Sequence, residues 1–379
     1  MSAVRLMVPT HLSACGHLPA PWQGGAQAGR LGPKGVPLRE ALLGGRSFET
    51  PELPPIDNPG VRAYIFSAQK GQASMVIDCH SHLVPKSWYD SKSPQAIFNI
   101  EGLLEEQEKA GVDITVFGNN WIRNPEGKDS LEIMKEFNVF AAEATAKYPK
   151  HLVGLVSSIP FADDRILKET KRAISDYKLK GIMVNSSVNG EYLDSPRATP
   201  FFELVTELDV PLFIHPPRVT IGAEKMEIFR LPEMVGRPFD TTLSLTRFIF
   251  AGGLEKFPNL NLICAHVGGA LPLLPGRLDF GYELRKDMSF GPWEPDVMTR
   301  PPSSYIRQLY FDTVSLHPPA VLCAVQTVGA DHVLFGSDFP PVPIPLKRSL
   351  EAVTSVSLSS EEKEKILGGN AARLLGLSG

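Results

Sequence analysis

Eight short apolar runs alternating with helix-like stretches constrain the fold of this chain more than any other feature. They are Met75–Cys79, Ile114–Gly118, Leu152–Ser158, Gly181–Asn185, Pro211–His215, Leu260–Ala265, Leu309–Thr313 and Val333–Gly336. Each is strand-sized and mostly non-alternating, the pattern of a parallel strand buried on both faces. Helical patterns fall at Ile100–Ala110, Ser130–Tyr148, Asp164–Tyr177, Pro200–Leu208, Thr242–Phe257 and Pro318–Val328, with a last one at Ser360–Leu377. Gly111 is placed to cap the first, and Ser359 or Ser360 to cap the last ahead of Glu361 and Glu362. This alternation predicts an α/β fold, a TIM-like (β/α)8 barrel. A doubly wound open sheet is the second reading. No GxGxxG follows the first run, which counts against a dinucleotide site there.

The barrel is expected over residues 75–379. Residues 1–74 read as a separate leader, disordered or loosely packed, because Gly and Pro interrupt any helical period. No acidic residue precedes Glu40, while Arg5, Arg30, Lys34 and Arg39 are basic. Organelle transit peptides share that bias, so targeting is the alternative to a plain leader or an upstream start with Met75 as the working one. A net charge of −4 with no basic stripe gives no reason to expect nucleic acid. The apolar runs are too short to span a membrane. Four cysteines without a CxxC pair suit a reducing compartment such as the cytoplasm.

Ionisable residues gather at the C-terminal ends of the runs, where barrels of this type carry their chemistry. His80 and His82 end the first, in Asp78-Cys79-His80-Ser81-His82. Residues i and i+2 of a strand face the same side, so both imidazoles can reach one point. His215 ends the fifth run, His266 the sixth and Asp338 the eighth. Taken singly, each is as readily a hydrogen-bonded core residue or a helix cap. Five at one edge of one sheet predict a shared metal site, with imidazole and carboxylate ligands suited to zinc first and manganese second.

These residues and their neighbours resemble the amidohydrolase superfamily over about residues 75–378. The phrases that carry the resemblance are Ile77-Asp78-Cys79-His80-Ser81-His82, Phe213-Ile214-His215-Pro216 and Leu254-Glu255-Lys256-Phe257-Pro258. Two more are Ala265-His266-Val267-Gly268-Gly269 with Gly276-Arg277, and Val333-Leu334-Phe335-Gly336-Ser337-Asp338-Phe339-Pro340. The nearer similarity is to the branch of metal-dependent decarboxylases acting on aminocarboxymuconate semialdehyde, γ-resorcylate and isoorotate.

The resemblance implies one divalent ion on His80, His82, His215 and Asp338, with His266 as a catalytic residue outside the ligand set and Asp338 serving both roles. Binuclear relatives use a carboxylated lysine at the end of strand four; here Asn185 stands there. Arg277 implies a homodimer, since an arginine at that place reaches into the neighbouring subunit's site. Arg218 is a second anchor for a substrate carboxylate. His317 and Trp121, with Asn119 and Asn120, are candidates to line the pocket. The implied activity is non-oxidative decarboxylation of an aromatic or unsaturated carboxylic acid. Hydrolysis of a lactone, ester or amide on the same site is the second reading, and metal binding without catalysis the third. Residues 83–98 contain no arginine but carry Trp88, Tyr89 and Phe98. That loop predicts a smaller or less charged acid than a dicarboxylate.

Overall fold

The computed structural model describes residues 75–377, apart from 90, 92, 120–129, 162, 288 and 290. The leader, Asn120 and Trp121 lie outside the described residues. Eight parallel strands follow the predicted runs: β1 (Ile77–His82), β2 (Ile114–Gly118), β3 (Leu152–Gly154, resuming at Val156–Ser157), β4 (Ile182–Asn185), β5 (Leu212–His215), β6 (Leu262–Cys264), β7 (Tyr310–Asp312) and β8 (Val333–Leu334). Each pairs in parallel with the next. The ring closes between β8 and β1. The Cys79 amide donates to the Phe335 carbonyl at 2.8 Å, and the Asp338 amide to the His80 carbonyl at 2.9 Å. The chain is therefore a (β/α)8 barrel.

The helices between strands are α1 (Ile100–Ala110), α2 (Ser130–Lys147), α3 (Asp164–Ser175), α4 (Thr199–Leu208), α5 (Arg237–Phe250), α6 (Pro275–Glu283) and α7 (Pro318–Val328), with α8 (Leu346–Thr354) after the last strand. The Asn99 side chain caps α1 by accepting from the Gly102 amide, and Gly111 ends it at φ 73°. Left-handed backbone at that point favours glycine. Ser359 and Glu362 form a reciprocal capping box at the start of the tail. The predicted tail helix is divided by a π-helical turn at Lys365–Gly369. Helix α5 begins five residues before the expected Thr242, and α6 and α8 have no counterpart in the pattern. No helix among the described residues is long and apolar enough to cross a membrane.

Two apolar layers explain why the runs do not alternate. Ile182, Val184, Leu212, Ile214, Cys264 and Phe311 face outward into the packing with the helices. Met183, Phe213, Ile263, Tyr310 and Leu334 belong to a second cluster inside the barrel, joined by Ala371 and Leu375 of the tail. Strand parity then carries His215, two residues beyond Phe213, to the inside. Gly336 shares the inward parity of Leu334. An added Cβ there would lie 2.9 Å from the His80 Cβ and 3.2 Å from the Asp312 Cβ.

Candidate active site

Strand β1 reaches the site through a bulge. Asp78 pairs with Thr115 and Ser81 with Phe117, so β1 holds one residue more than β2 over that span. Ile77 and Cys79 belong to the inner cluster, and the extra residue turns His80 and His82 inward as well. Bulges re-aim side chains in this way beside active sites. The His80 and His82 Nε2 atoms face each other at 3.2 Å. Asp338 Oδ1 lies 3.2 Å from the His82 Nε2 and 3.5 Å from the His80 Nε2. The His215 ring stands 4.8 Å from His82 and 5.1 Å from His80, measured between centroids.

The outer ring nitrogens of the three histidines all have acceptors. His80 Nδ1 donates to Asp312 Oδ2 at 2.6 Å, His82 Nδ1 to the Gly118 carbonyl at 3.2 Å, and His215 Nδ1 to the Pro216 carbonyl at 2.9 Å. A carbonyl can only accept, so the proton sits on Nδ1 and the Nε2 lone pairs of His82 and His215 are left directed inward. His215 Nε2 is buried with no hydrogen-bond partner. Lone pairs opposed at such distances, with a carboxylate among them, repel unless a cation lies between. Outer N–H groups tied to carboxylate or carbonyl are the usual support of metal-ligating histidines. The donor set therefore fits a divalent metal.

His266 differs. One donor atom from each of His80, His215, His266 and Asp338 lies within 4.8 Å of all the others, so distance alone admits it to the set. Its Nε2 is 3.5 Å from Asp338 Oδ2, but its Nδ1 is buried with no partner. It lacks the outer acceptor that the other three share. The strand ends at Cys264, and His266 follows in a left-handed turn at φ 55°, with Val267 at φ 59°. A β-branched residue in that region is strained, and strain of this kind collects at functional sites. The Val267 amide is held by Asp312 Oδ1 at 2.9 Å.

Charge and burial act against each other here. Burial alone would lower the His80 pKa, but Asp338 and Asp312 together raise it. Burial lowers His82, with Asp338 opposing in part. His215 is pushed well below the ordinary value by burial and by the other three imidazoles. The Asp338 carboxyl lies far below the carboxylate range: burial opposes this, and His80, His266 and His82 outweigh it. Low pKa values keep His82 and His215 neutral, as metal ligation requires.

A cavity of about 940 Å³ opens on this cluster, lined by His82, His215, His266 and Asp338. Arg218 lines it. Arg230 and Arg237 line it too, and nothing in the sequence pattern singled them out. Arg218 and Arg230 belong to the loop between β5 and α5, and Arg237 opens α5. His317 is exposed at the start of α7 and does not line the cavity, whereas Val314, Ser315 and Leu316 do. Arg277 is exposed on α6, away from the lining of its own cavity. Asn119 is buried at the end of β2, and Asn185 ends β4. Asp312 is the main residue that sequence reasoning missed. Its signal was a carboxylate ending the seventh strand, as Asp338 follows the eighth.

Comparison with known proteins bears out the barrel fold. A 2-amino-3-carboxymuconate-6-semialdehyde decarboxylase of Dictyostelium discoideum is 29% identical over 345 residues, covering 80% of this chain and 92% of the relative. The crystal structure of 5-carboxyvanillate decarboxylase from Sphingomonas paucimobilis superposes with a TM-score of 0.72 at 20% identity, over 80% of this chain and 100% of the other. A dihydroxybenzoic acid decarboxylase from Polaromonas sp., solved with manganese and 2-nitroresorcinol, gives a TM-score of 0.69 at 21% identity, over 80% and 97%. The Amidohydrolase family matches residues 77–377. With a match of that extent on a closed barrel with clustered histidines, the chain belongs to the Amidohydrolase family.

Proposed function

We propose that this chain is a metal-dependent non-oxidative decarboxylase of an aromatic or unsaturated carboxylic acid. The observation that carries the reading is the contrast among the four imidazoles. Three are fixed from behind as metal ligands are, and His266 stands beside them with its Nδ1 unpartnered. Relatives over most of the chain bear decarboxylase names. The arginines in the cavity suit a carboxylate substrate. No observation favours the hydrolase reading over this one.

In this reading His80, His82, His215 and Asp338 hold one divalent ion, zinc first for a nitrogen-rich donor set and manganese second. Such an ion, when bound, polarises substrate oxygens. Asp312 keeps the His80 Nδ1 protonated and its ring oriented. His266 delivers a proton to the carbon that carries the carboxylate. The bond from that carbon to the carboxyl carbon breaks, its electron pair remains on the substrate carbon, and carbon dioxide leaves. An imidazole can carry a proton for that transfer.

A homodimer belongs to the same reading. Arg277 is exposed on α6, with Leu273 and Phe280 exposed beside it at 76% and 57%. A partner copy would cover these side chains and receive the arginine. Cys79, Cys264 and Cys323 are free thiols, in keeping with a reducing cytoplasm. The test is a panel of aromatic acids incubated with metal-loaded and chelator-treated protein. Carbon dioxide release that depends on metal is expected. Cleavage of esters or lactones, with no carbon dioxide from any acid, would give the hydrolase reading instead.

A further inference from the structure

We propose that Arg237 anchors a second anionic group of the substrate, distinct from the carboxylate that leaves, so that the site takes a dicarboxylic acid. This deepens, and rests on, the decarboxylase reading above. Three guanidinium groups line the cavity, Arg218, Arg230 and Arg237, against two carboxylates, Glu233 and Asp338. Asp338 is already engaged by His82 and His266. Among the described residues none of the three arginines has a side-chain ion pair or hydrogen bond. Elsewhere on the surface, Arg165, Arg172, Arg197, Arg247 and Arg285 are each paired with a carboxylate of the chain itself. Arg218 and Arg230 are exposed, but Arg237 is half-buried. A half-buried, unpaired guanidinium facing a concave site is fit to receive a planar anion in a two-pronged bond.

The backbone fixes where Arg237 stands. It opens α5 directly after a π-helical turn at Pro232–Gly236, a local widening that often marks functional positions. Its neighbour Pro238 abuts the turn that carries His266. A Cβ added to Gly269 would lie 2.3 Å from the Pro238 carbonyl oxygen and 2.4 Å from the Thr242 hydroxyl. On its other side, a Cβ at Gly236 would meet the Thr220 hydroxyl at 2.3 Å. Three residues on, the buried Asp240 accepts from the Ser186 and Ser187 hydroxyls, the Tyr192 hydroxyl and the Ile221 amide. Asp240 is a positioning residue: it ties the end of β4 and the arginine-bearing loop to the first turn of α5. The backbone on either side of the arginine is thus closely packed, with Pro238 against the turn that carries His266.

The test uses the full-length, metal-loaded protein and two probes, benzoate and isophthalate (benzene-1,3-dicarboxylate), titrated calorimetrically. Wild type is expected to bind isophthalate at least tenfold more tightly than benzoate. Arg237→Ala should lose roughly 10- to 100-fold in isophthalate affinity, the range for one charge-assisted bond. Its benzoate affinity should change less than about twofold, which also reports that the cavity remains folded. Arg237→Lys, which keeps the charge without the fork, should recover part of the loss. Wild type that binds isophthalate no more tightly than benzoate overturns the proposal, as does an Arg237→Ala protein that treats the two probes as wild type does. Carbon dioxide release is read separately. Arg237-dependent isophthalate binding without release from any acid overturns the decarboxylase reading and leaves the anion site standing. Release with no role for Arg237 in dicarboxylate binding does the reverse.

Discussion

Asp312 holds His80 by a 2.6 Å hydrogen bond from Nδ1, wholly buried on both sides. Its second oxygen accepts from the amides of Val267 and Val314. One carboxylate therefore orients an imidazole of the candidate site and pins the strained turn that presents His266.

Asp312→Asn keeps the shape of that carboxylate and removes its charge. Metal affinity should fall about 10- to 100-fold, the usual effect of losing such a supporting group. Competition with a chromogenic chelator measures it. Unchanged affinity would show that His80 needs no such support.

His266→Ala should keep both metal and fold while losing roughly two to four orders of magnitude in turnover, the range for a general acid or base. Metal content and rate must be read on one preparation. If metal is lost along with activity, His266 is a ligand and the contrast among the imidazoles was misread.

Shortening the chain to begin at Met75 should leave a protein that binds metal and turns over as the full chain does. The Met75 carbonyl already packs on the tail: a Cβ at Gly368 would lie 1.7 Å from its oxygen. Strand β1 begins two residues later. Insolubility of the shortened chain, with the full chain soluble, would show that residues 1–74 are needed for the barrel.

Glu255 gives a pH signature remote from the cluster. The Thr299 hydroxyl, the Tyr305 hydroxyl and the Thr299 amide donate to its carboxylate and lower its pKa from 4.5 to about 2. A carboxyl depressed in the folded state adds stability that is complete above its unfolded pKa. That stability fades as pH falls from 4.5 toward about 2. Glu255→Gln should be less stable than wild type at pH 7, and its stability should fall less between those limits. Denaturant titrations at four or five pH values test this; parallel curves would remove Glu255 from the acid response.

The strands were legible because barrel strands are buried on both faces and stand out as short apolar runs. Seven of the eight observed strands lie within their predicted runs, and the eighth, β1, runs on through His82. The bulge in β1 was not legible, since no residue type demands it; the need to point both Cys79 and His80 inward does. Helix α6 was hidden by Pro275, Gly276 and Gly281, and by exposed apolar side chains such as Phe280 that blur any amphipathic period. Asp312 passed as a strand-end polar residue because its partner, His80, is 232 positions away. Arg230 lies in a long connection without period, and Arg237 opens α5 five residues before the helical pattern begins. The packing of Pro238 on Gly269, the Ala270–Thr242 hydrogen bond and the bonds of Asp240 to Ser186 and Ser187 bring that region to the site.

The barrel closes where its first and last strands meet, and that seam runs through the candidate site. Asp78 and Ser337, 259 positions apart, are joined there by hydrogen bonds from both the amide and the hydroxyl of the serine. His80 and Asp338 adjoin them on either strand. A ribosome making this chain delivers two imidazoles early and the carboxylate near the end, so the full donor set first exists when synthesis is almost over. An ion that binds only the closed ring draws the equilibrium toward closure. Prematurely terminated chains, cut short before residue 333, lack both that pull and the closing strand and are left with an open sheet edge, the form that quality control in a cell is built to remove.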